Sequence, residues 1–187
     1  MSRSTPPERG DGLSDPPRGL VRQAMDGDPD AFGDLYLVCL QRLYRYTFFR
    51  VGDRSLAEDL TESVFLRAWE ARRGFHFGTS PFMGWLYRIA HNVVVDHYRT
   101  SRPGAELEER LPSQENVAER MEELEQRRQL ATALRSLDPT SQQVISLRFA
   151  ADLDHAQVAQ LLGRSESAVR VIQYRALRKL RALLQGE

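Results

Sequence analysis

Apolar residues recur at intervals of three and four along almost the whole chain after residue 17, whereas the alternating pattern of strands is almost absent. Such intervals place apolar side chains on one face of an α-helix. Asp28-Pro29 and Asp138-Pro139 each combine a helix-capping side chain with proline at the first helical position, where its missing N–H is not needed. The sequence therefore predicts an all-α protein of amphipathic helices with sharply defined starts.

Breaks in the apolar pattern predict where each helix begins and ends. Glycine and proline interrupt the pattern, and Ser, Asp and Gly at the breaks can cap the helices. Asp154, followed three residues later by Gln157, is a capping-box pattern. The predicted helices cover residues 20–25, 29–50, 55–72, 81–99, 118–137, 139–149, 155–162 and 166–184.

Composition divides these helices between two small domains. Residues 1–17 are rich in Pro, Gly, Ser and charge and cannot bury enough apolar surface to fold, so a disordered tail is predicted. Residues 103–117 are predicted to form a polar linker. We therefore expect one helical domain over residues 18–102 and a second over residues 118–187.

Composition also limits the classes of protein to which the chain can belong. Its 187 residues are 41% hydrophobic and 28% charged, as in soluble globular proteins. No apolar run approaches the roughly 18 to 20 residues of a membrane span, and the N-terminus lacks the apolar core of a signal peptide. The single cysteine, Cys39, excludes an internal disulfide and a cysteine-based zinc site. A cytoplasmic protein with no membrane insertion is expected.

Charge is unevenly distributed although the formal net charge is zero. Between residues 164 and 181 the basic residues are Arg164, Arg170, Arg175, Arg178, Lys179 and Arg181, against one acid. Between residues 106 and 125 eight Glu face only two Arg. A neutral total can therefore conceal a basic nucleic-acid-binding surface beside an acidic segment.

The segment LLGRSES joins the last two predicted helices in the manner of a helix-turn-helix. Gly163 allows the left-handed backbone of a tight turn. The last helix has an apolar stripe for burial, formed by Val169, Ile172, Ala176 and Leu180. Its opposite face can enter a major groove, with Ser167, Arg170, Val171, Tyr174 and Arg175 near bases and Arg178, Lys179 and Arg181 near phosphates. The alternative is a basic amphipathic helix that only packs within a bundle.

The segment GFHFGTSPFMGWLYRIAHNVVVDHYRTSR interleaves aromatic and basic side chains. Unstacked bases of single-stranded DNA can stack on aromatic rings, each contact contributing about 1 to 3 kcal/mol, while cations follow the backbone. The candidates are Phe75, Phe77, Phe82, Trp85, Tyr87, Arg88, Asn92, Arg99 and Arg102. The alternative is that the aromatic residues form the core. Trp85 favours this alternative because it is in line with Ile89, whereas residues 77–80 fit both interpretations.

Three stretches together resemble the extracytoplasmic-function (ECF) group of bacterial RNA polymerase sigma factors. AEDLTESVFLRAWEAR and PFMGWLYRIAHNVVVDHYR are similar to region 2 of that group, and LDPTSQQVISLRFAADLDHAQVAQLLGRSESAVRVIQYRALRKLR is similar to region 4. The motifs occur in the order and spacing of the group and cover nearly all of residues 20–184. The resemblance implies a region 2 helical bundle and a region 4 helix-turn-helix that read the minus-10 and minus-35 promoter elements.

The resemblance also implies partners and residue roles. The partners would be core RNA polymerase, bound through its clamp helices and flap, promoter DNA and a dedicated anti-sigma factor, with no cofactor and no catalysis by the chain itself. The polymerase-binding residues would be Asp59, Glu62 and Arg67. The minus-10 surface would comprise Phe75, Phe77, Arg88, Asn92, Asp96 and Arg99, and the minus-35 surface Ser167, Arg170, Val171, Tyr174, Arg175 and Arg178. Glu62 departs from the group, which usually has glutamine at that position.

Two other functions remain open on the sequence alone. A stand-alone helix-turn-helix regulator would bind duplex DNA without polymerase, usually as a dimer, and the acidic helix before the second domain could serve for dimerisation. An enzyme or metal site would use His91, Asp96 and His97. The two histidines are six residues apart, which places them on different faces of a helix and disfavours that site.

Overall fold

The computed structural model describes residues 15–78, 80–100 and 117–185, and all regular structure within these residues is helical. This confirms the all-α prediction, whereas the predicted tail and linker lie almost wholly outside the described residues. The helices are α1 (Arg18–Asp26), α2 (Pro29–Val51), α3 (Arg54–Ala71), α4 (Phe82–Thr100), α5 (Val117–Arg135), α6 (Pro139–Phe149), α7 (His155–Leu162) and α8 (Glu166–Gln185), with one turn of 3-10 helix at Arg72–Gly74.

Local capping explains why several of these helices begin where the sequence predicts. The Asp28 carboxylate accepts hydrogen bonds from the amides of the next turn, and Asp138 does the same for Ser141 N at 3.0 Å. Asp154 and Gln157 form the reciprocal capping box, with both hydrogen bonds at 2.8 Å. Each cap satisfies amide groups that have no partner within their own helix.

Helices α1 to α4 form a first helix group around an apolar core. Helices α2 and α3 are antiparallel neighbours, since the rings of Phe32 and Trp69 lie 4.9 Å apart and those of Tyr36 and Phe65 lie 4.5 Å apart. Cys39 of α2 is fully buried, and burial raises the pKa of its thiol to about 12. The thiol is therefore a packing group rather than a nucleophile.

Helices α5 to α8 form a second helix group around α8. Helices α5, α6 and α7 all contact α8, which lies across them. Residues that point inward from three of these helices form a separate apolar cluster, composed of Ala133, Leu134, Leu137, Ile145, Ala176 and Leu180. Because the inner face of α8 is buried in this cluster, the opposite face of the helix is the one exposed to solvent.

The two helix groups pack against each other, which no sequence pattern indicates. Helices α5 and α6 lie along α2, and apolar residues of α6 and α7 share one continuous core with the first group. The Arg50 guanidinium, 2% exposed, donates from Nη2 to Gln142 Oε1 of α6 at 2.5 Å. Leu161 of α7 reaches Gly84 of α4 so closely that a Cβ at Gly84 would lie 2.0 Å from Leu161 Cδ2. We call this the closed arrangement.

Candidate nucleic-acid interface

Helices α7 and α8 form a helix-turn-helix. Gly163, with φ of 62°, occupies the left-handed region that the tight exit from α7 requires. Ser165 Oγ then accepts a hydrogen bond from Ala168 N at 3.2 Å and caps α8. Val169, Ala176 and Leu180 are buried and Ile172 is half-buried, so the predicted buried stripe of α8 is confirmed.

The outer face of α8 is open to solvent over its whole length. Tyr174 is 64% exposed and Val171 is 47% exposed. The remaining residues predicted for this face are also exposed, namely Ser167, Arg170, Arg175 and Arg178. A side chain must reach past the helix backbone to read base edges in a major groove, and these residues are free to do so. Their contacts with DNA stay a prediction.

Three basic residues of α8 already bind groups of the chain, and one of them, Arg181, donates from Nε to Gln185 Oε1 at 3.1 Å. Arg170 forms an ion pair with Glu166, one turn earlier on the same exposed face. Lys179 Nζ donates a hydrogen bond to the carbonyl oxygen of Ser136 at 2.8 Å, which ties α8 to the end of α5. Lys179 was predicted to contact phosphate, but in the structure it connects two helices of its own group.

The aromatic loop before α4 turns one phenylalanine inward and one outward. Phe75 is buried, with its ring 5.1 to 5.5 Å from the rings of Phe77, Phe82 and Trp85. Phe77 is 38% exposed. The structure therefore corrects the assignment of Phe75 to a DNA surface, because its ring belongs to the core and supports Phe77 from behind.

Helix α4 carries the other predicted minus-10 residues on one face. Arg88, Asn92 and Arg99 are exposed, and Asp96 is half-buried. Spacings of three and four keep these residues on the same side of a helix. Arg88 Nη2 donates to Ser80 Oγ at 2.6 Å, which ties the helix back to the aromatic loop.

Asp96 connects two surfaces that were predicted separately. Its carboxylate accepts a hydrogen bond from Arg67 Nη1 of α3 at 2.9 Å and pairs with Arg99 Nη2 at 3.1 Å. The hydrogen bond from Arg67, together with the nearby guanidinium of Arg99, lowers the pKa of Asp96 below its usual range. Arg67 was predicted to bind polymerase and Asp96 to read DNA, so these two surfaces are adjacent.

An exposed apolar side chain accompanies the predicted polymerase-binding residues. Asp59, Glu62 and Arg67 are all exposed on α3. Leu66 follows Glu62 by four residues and is 66% exposed. An isolated exposed leucine is ordinary, but one beside charged residues on a helix face suits a protein interface. Sequence reasoning missed Leu66 because a helix of mixed composition does not reveal which apolar residue lacks a partner.

Helix α1 contributes to the loop from a position that the sequence did not indicate. The guanidinium carbons of Arg18 and Arg22 lie 5.6 and 5.7 Å from the centre of the Phe77 ring. The Asp15 carboxylate accepts hydrogen bonds from the first amides of α4. Spacing of four residues puts Arg18 and Arg22 on one face of α1, but no pattern connects that face to a loop so far along the chain.

The histidine cluster considered from the sequence is divided by the fold. His91 is buried, and its Nδ1 accepts a hydrogen bond from Arg50 Nη1 at 3.2 Å. Burial, reinforced by the Arg50 charge, lowers the pKa of His91 to about 4. The ring of His97 instead contacts Tyr98. Within the described ranges, no cluster of three or more His, Cys, Asp or Glu side chains could hold a metal ion, and no helix could span a membrane.

Comparison with known families finds one match in each helix group. Residues 35–103 match the Sigma-70 region 2 family, and residues 133–182 match the Sigma-70, region 4 family. The first match contains the aromatic loop and the exposed face of α4. The second contains α7, the turn and α8 as far as residue 182.

Similar proteins are ECF sigma factors of other bacteria. The chain is 39% identical over 173 residues to the ECF RNA polymerase sigma factor BldN of Streptomyces coelicolor, covering 90% of this chain and 66% of BldN. It is 26% identical over 184 residues to the ECF RNA polymerase sigma factor SigK of Mycobacterium tuberculosis, covering 92% of this chain and 98% of SigK. The chain thus spans just under two thirds of BldN but nearly all of SigK.

Solved structures show the same architecture. CnrH, in complex with the cytosolic domain of CnrY, aligns with a TM-score of 0.64 at 31% identity over 91% of this chain and 97% of CnrH. The sigma factor RpoE of Bartonella quintana, in complex with the anti-sigma factor NepR, aligns with a TM-score of 0.54 at 19% identity over 82% of this chain and 96% of that chain. The second likeness concerns the fold alone.

Proposed function

Because the chain belongs to the extracytoplasmic-function group of RNA polymerase sigma factors, we propose that it directs core polymerase to promoters through two DNA surfaces, one on each helix group. The observation that carries this proposal is the occurrence, in one chain, of a helix-turn-helix with an open basic face and an exposed aromatic loop beside a polar helix face. The chain acts as an initiation factor in the cytoplasm, where polymerase and chromosome meet, and catalyses no reaction itself.

The minus-35 element is read as a duplex by α8. Burial of Val169 and Ala176 fixes the rotation of the helix, so that Arg170, Tyr174 and Arg175 point away from the protein. Arginine recognises guanine through two hydrogen bonds, and valine or tyrosine can pack on thymine methyl groups. Arg178 is one turn further along and suits a phosphate contact.

The minus-10 element is bound after its strands separate. Phe77 offers a ring on which an unstacked base can lie, and the exposed face of α4 with Asn92 and Arg99 lies beyond the loop. Stacking of bases on aromatic rings contributes about 1 to 3 kcal/mol each, which offsets the few kcal/mol lost on unstacking. The binding free energy of the captured bases therefore drives strand separation, and no chemical step is needed.

Core polymerase binds the α3 surface of the first group. Leu66 provides an apolar centre, and Asp59, Glu62 and Arg67 provide a charged rim. An apolar centre within a polar rim is the usual anatomy of a protein interface. Because Arg67 also holds Asp96, polymerase binding on α3 and DNA binding on α4 share a side chain.

The two groups separate when polymerase binds. In the closed arrangement the cavity beside Phe77, of about 340 Å³, is lined on one side by Gln160 of α7, so the second group partly covers the minus-10 loop. Simultaneous binding of two promoter elements multiplies two modest affinities through effective concentration, but only when the geometry allows both contacts. Separation of the two groups uncovers the loop at Phe77. It also allows the two DNA surfaces to contact both promoter elements at the same time.

An anti-sigma factor is the expected negative regulator. CnrH is similar to this chain over nearly its whole length and was solved with the cytosolic domain of CnrY. We expect an equivalent partner to bind this chain and keep it from polymerase.

Run-off transcription tests the proposal directly. Bacterial core polymerase would be incubated with a library of promoter fragments, with and without the protein, and the transcripts sequenced. We expect specific transcripts that depend on the protein and weaken at least tenfold with Arg175→Ala and with Phe77→Ala. Arg54→Ala, which removes an exposed arginine outside both surfaces, is the matched control. Binding of duplex DNA without core, and no initiation with it, would refute the sigma factor and favour a stand-alone regulator.

A further inference from the structure

Among the described residues beside the start of α4, which carries the minus-10 face, no side chain caps the helix locally. Its first helical hydrogen bond runs from Trp85 N to the Pro81 carbonyl at 3.1 Å, so Pro81 occupies the capping position. Proline has no side-chain oxygen with which to accept a hydrogen bond from the first amides. The nearest local hydroxyl, Ser80 Oγ, already accepts a hydrogen bond from Arg88.

Asp15 provides the missing cap from far away in the sequence. Its Oδ2 accepts a hydrogen bond from Phe82 N at 2.8 Å and its Oδ1 one from Met83 N at 2.9 Å. A carboxylate at this point also opposes the positive end of the helix dipole. Both oxygens are engaged at once, so the carboxylate fixes the direction in which α4 starts.

The same N-terminal segment also contacts the aromatic loop. Arg18 and Arg22, on α1 just after Asp15, approach the ring of Phe77. The cavity next to Phe77 is lined by Asp15 and Arg18 together with Ser80, Pro81 and Phe82. Asp15 therefore lies where the loop, the start of α4 and helix α1 meet.

We propose that Asp15 is a positioning residue of the minus-10 site, which holds the loop before α4 in the geometry that captures unstacked bases. The residue lies outside the stretch that matches region 2, which begins at residue 35. The inference rests on the proposed function, because it assumes that this loop receives single-stranded DNA. Asp15 itself binds no base; it acts through the backbone amides of Phe82 and Met83.

The cap should affect forked DNA more than duplex DNA. Without the carboxylate, two amides of α4 lose their partners and the first turn frays, so Phe77 and Ser80 sample more positions. Loss of an N-cap typically costs enough to weaken a coupled equilibrium about fivefold to tenfold. Asparagine has one acceptor oxygen and no charge, so Asp15→Asn should keep one of the two hydrogen bonds and weaken binding less than Asp15→Ala does.

A matched control comes from a cap that lies away from the loop. Asp53 caps α3, with its Oδ1 accepting from Leu56 N at 2.8 Å. Asp53→Ala should lower thermal stability about as much as Asp15→Ala, since each variant removes one capping carboxylate. It should leave DNA capture unchanged because α3 does not begin at the loop.

The test uses holoenzyme assembled from core polymerase and the full chain, with a promoter selected in the run-off experiment. Two probes are compared by fluorescence anisotropy: a fork with a single-stranded minus-10 element, and a duplex that ends after the minus-35 element. We expect Asp15→Ala to weaken fork binding about fivefold to tenfold, with duplex binding unchanged and Asp15→Asn intermediate between Asp15→Ala and the wild type.

The outcomes separate this inference from the proposed function. If Phe77→Ala weakens fork binding but Asp15→Ala does not, the loop works as proposed and the role of Asp15 is refuted. Equal weakening by Asp15→Ala and Asp15→Asn would also refute it, because asparagine keeps one acceptor oxygen that alanine lacks. If Phe77→Ala leaves fork binding intact, the proposed minus-10 surface itself is wrong.

Discussion

Replacing Gly84 with alanine should stabilise helix α4 and destabilise the closed arrangement. Gly84 is the third residue of α4 and is buried beneath Leu161 of α7. A Cβ at this position would lie 2.0 Å from Leu161 Cδ2 and 3.4 Å from Leu161 Cγ. The first contact is far inside van der Waals range, so the leucine side chain or the helix must move.

The change has two opposite contributions. Within α4, alanine is favoured over glycine by roughly 0.8 to 1 kcal/mol, because glycine loses more backbone entropy in a helix. At the contact with α7, an added methyl in a packed site costs about 1 to 3 kcal/mol. When the groups separate, the cost at the contact with α7 disappears, whereas the gain within α4 remains. The variant should therefore shift the balance towards an open form by about 5- to 150-fold.

Small-angle X-ray scattering and thermal unfolding together measure both contributions. A compact chain of this length has a radius of gyration of about 16 Å, and separation of the groups increases it by several Å. We expect a larger radius for Gly84→Ala than for the wild type, with the first group melting no earlier. Leu161→Ala supplies the control, since it removes the clashing atoms while losing about 2 to 5 kcal/mol of packing.

The double variant decides whether the two residues are coupled. If the methyl at position 84 clashes with Leu161, adding Gly84→Ala to Leu161→Ala should cost at least about 1 kcal/mol less than adding it to the wild type. The reasoning would be refuted if Gly84→Ala melted at a higher temperature with unchanged scattering and no coupling. In that case Leu161 turns aside at little cost, and the glycine does not set the approach of α7.

Two further predictions concern the buried Arg50. Gln142→Ala removes the acceptor at 2.5 Å from Arg50 Nη2 and should lower the free energy of unfolding by about 1 to 3 kcal/mol, measured with urea at pH 7; an unchanged midpoint would contradict it. The pKa of His91 is lowered from 6.5 to about 4, so the unfolded chain binds the extra proton between these values. Stability should therefore be full above pH 6.5 and fall by up to about 3 kcal/mol near pH 4, whereas His91→Gln should show a shallower decline.

Helix starts were predictable because their causes lie within four residues of each other. Local caps form at Asp28-Pro29, at Asp138-Pro139 and at Asp154 with Gln157, whereas Asp15-Pro16 does not cap α1. The buried stripe of α8 was predictable for a similar reason, since the helical period fixes which side chains share a face. The exposed face that includes Arg170 and Tyr174 then follows as its complement.

In the loop before α4, the sequence does not predict which aromatic ring is buried. Phe75 and Phe77 have the same side chain and lie two residues apart, yet the first is buried and the second is exposed. A loop has no repeating geometry, so no period assigns one ring to the core and the other to solvent. The assignment depends on Phe82 and Trp85, which occupy the start of the next helix and surround Phe75.

Contacts between the helix groups were hidden for a different reason, and their chemistry fits the proposed separation of the groups. Arg50 is a buried cation whose acceptor across the interface is the neutral amide of Gln142, and no carboxylate among the described residues pairs with it. Burying an unpaired charge is costly, and water would solvate that charge once the groups separate. Hydration of Arg50 thus offsets part of the free energy that is lost when the apolar contact between the groups opens. A glutamate at position 142 would hold the groups together more firmly, so the neutral residue favours separation by polymerase binding.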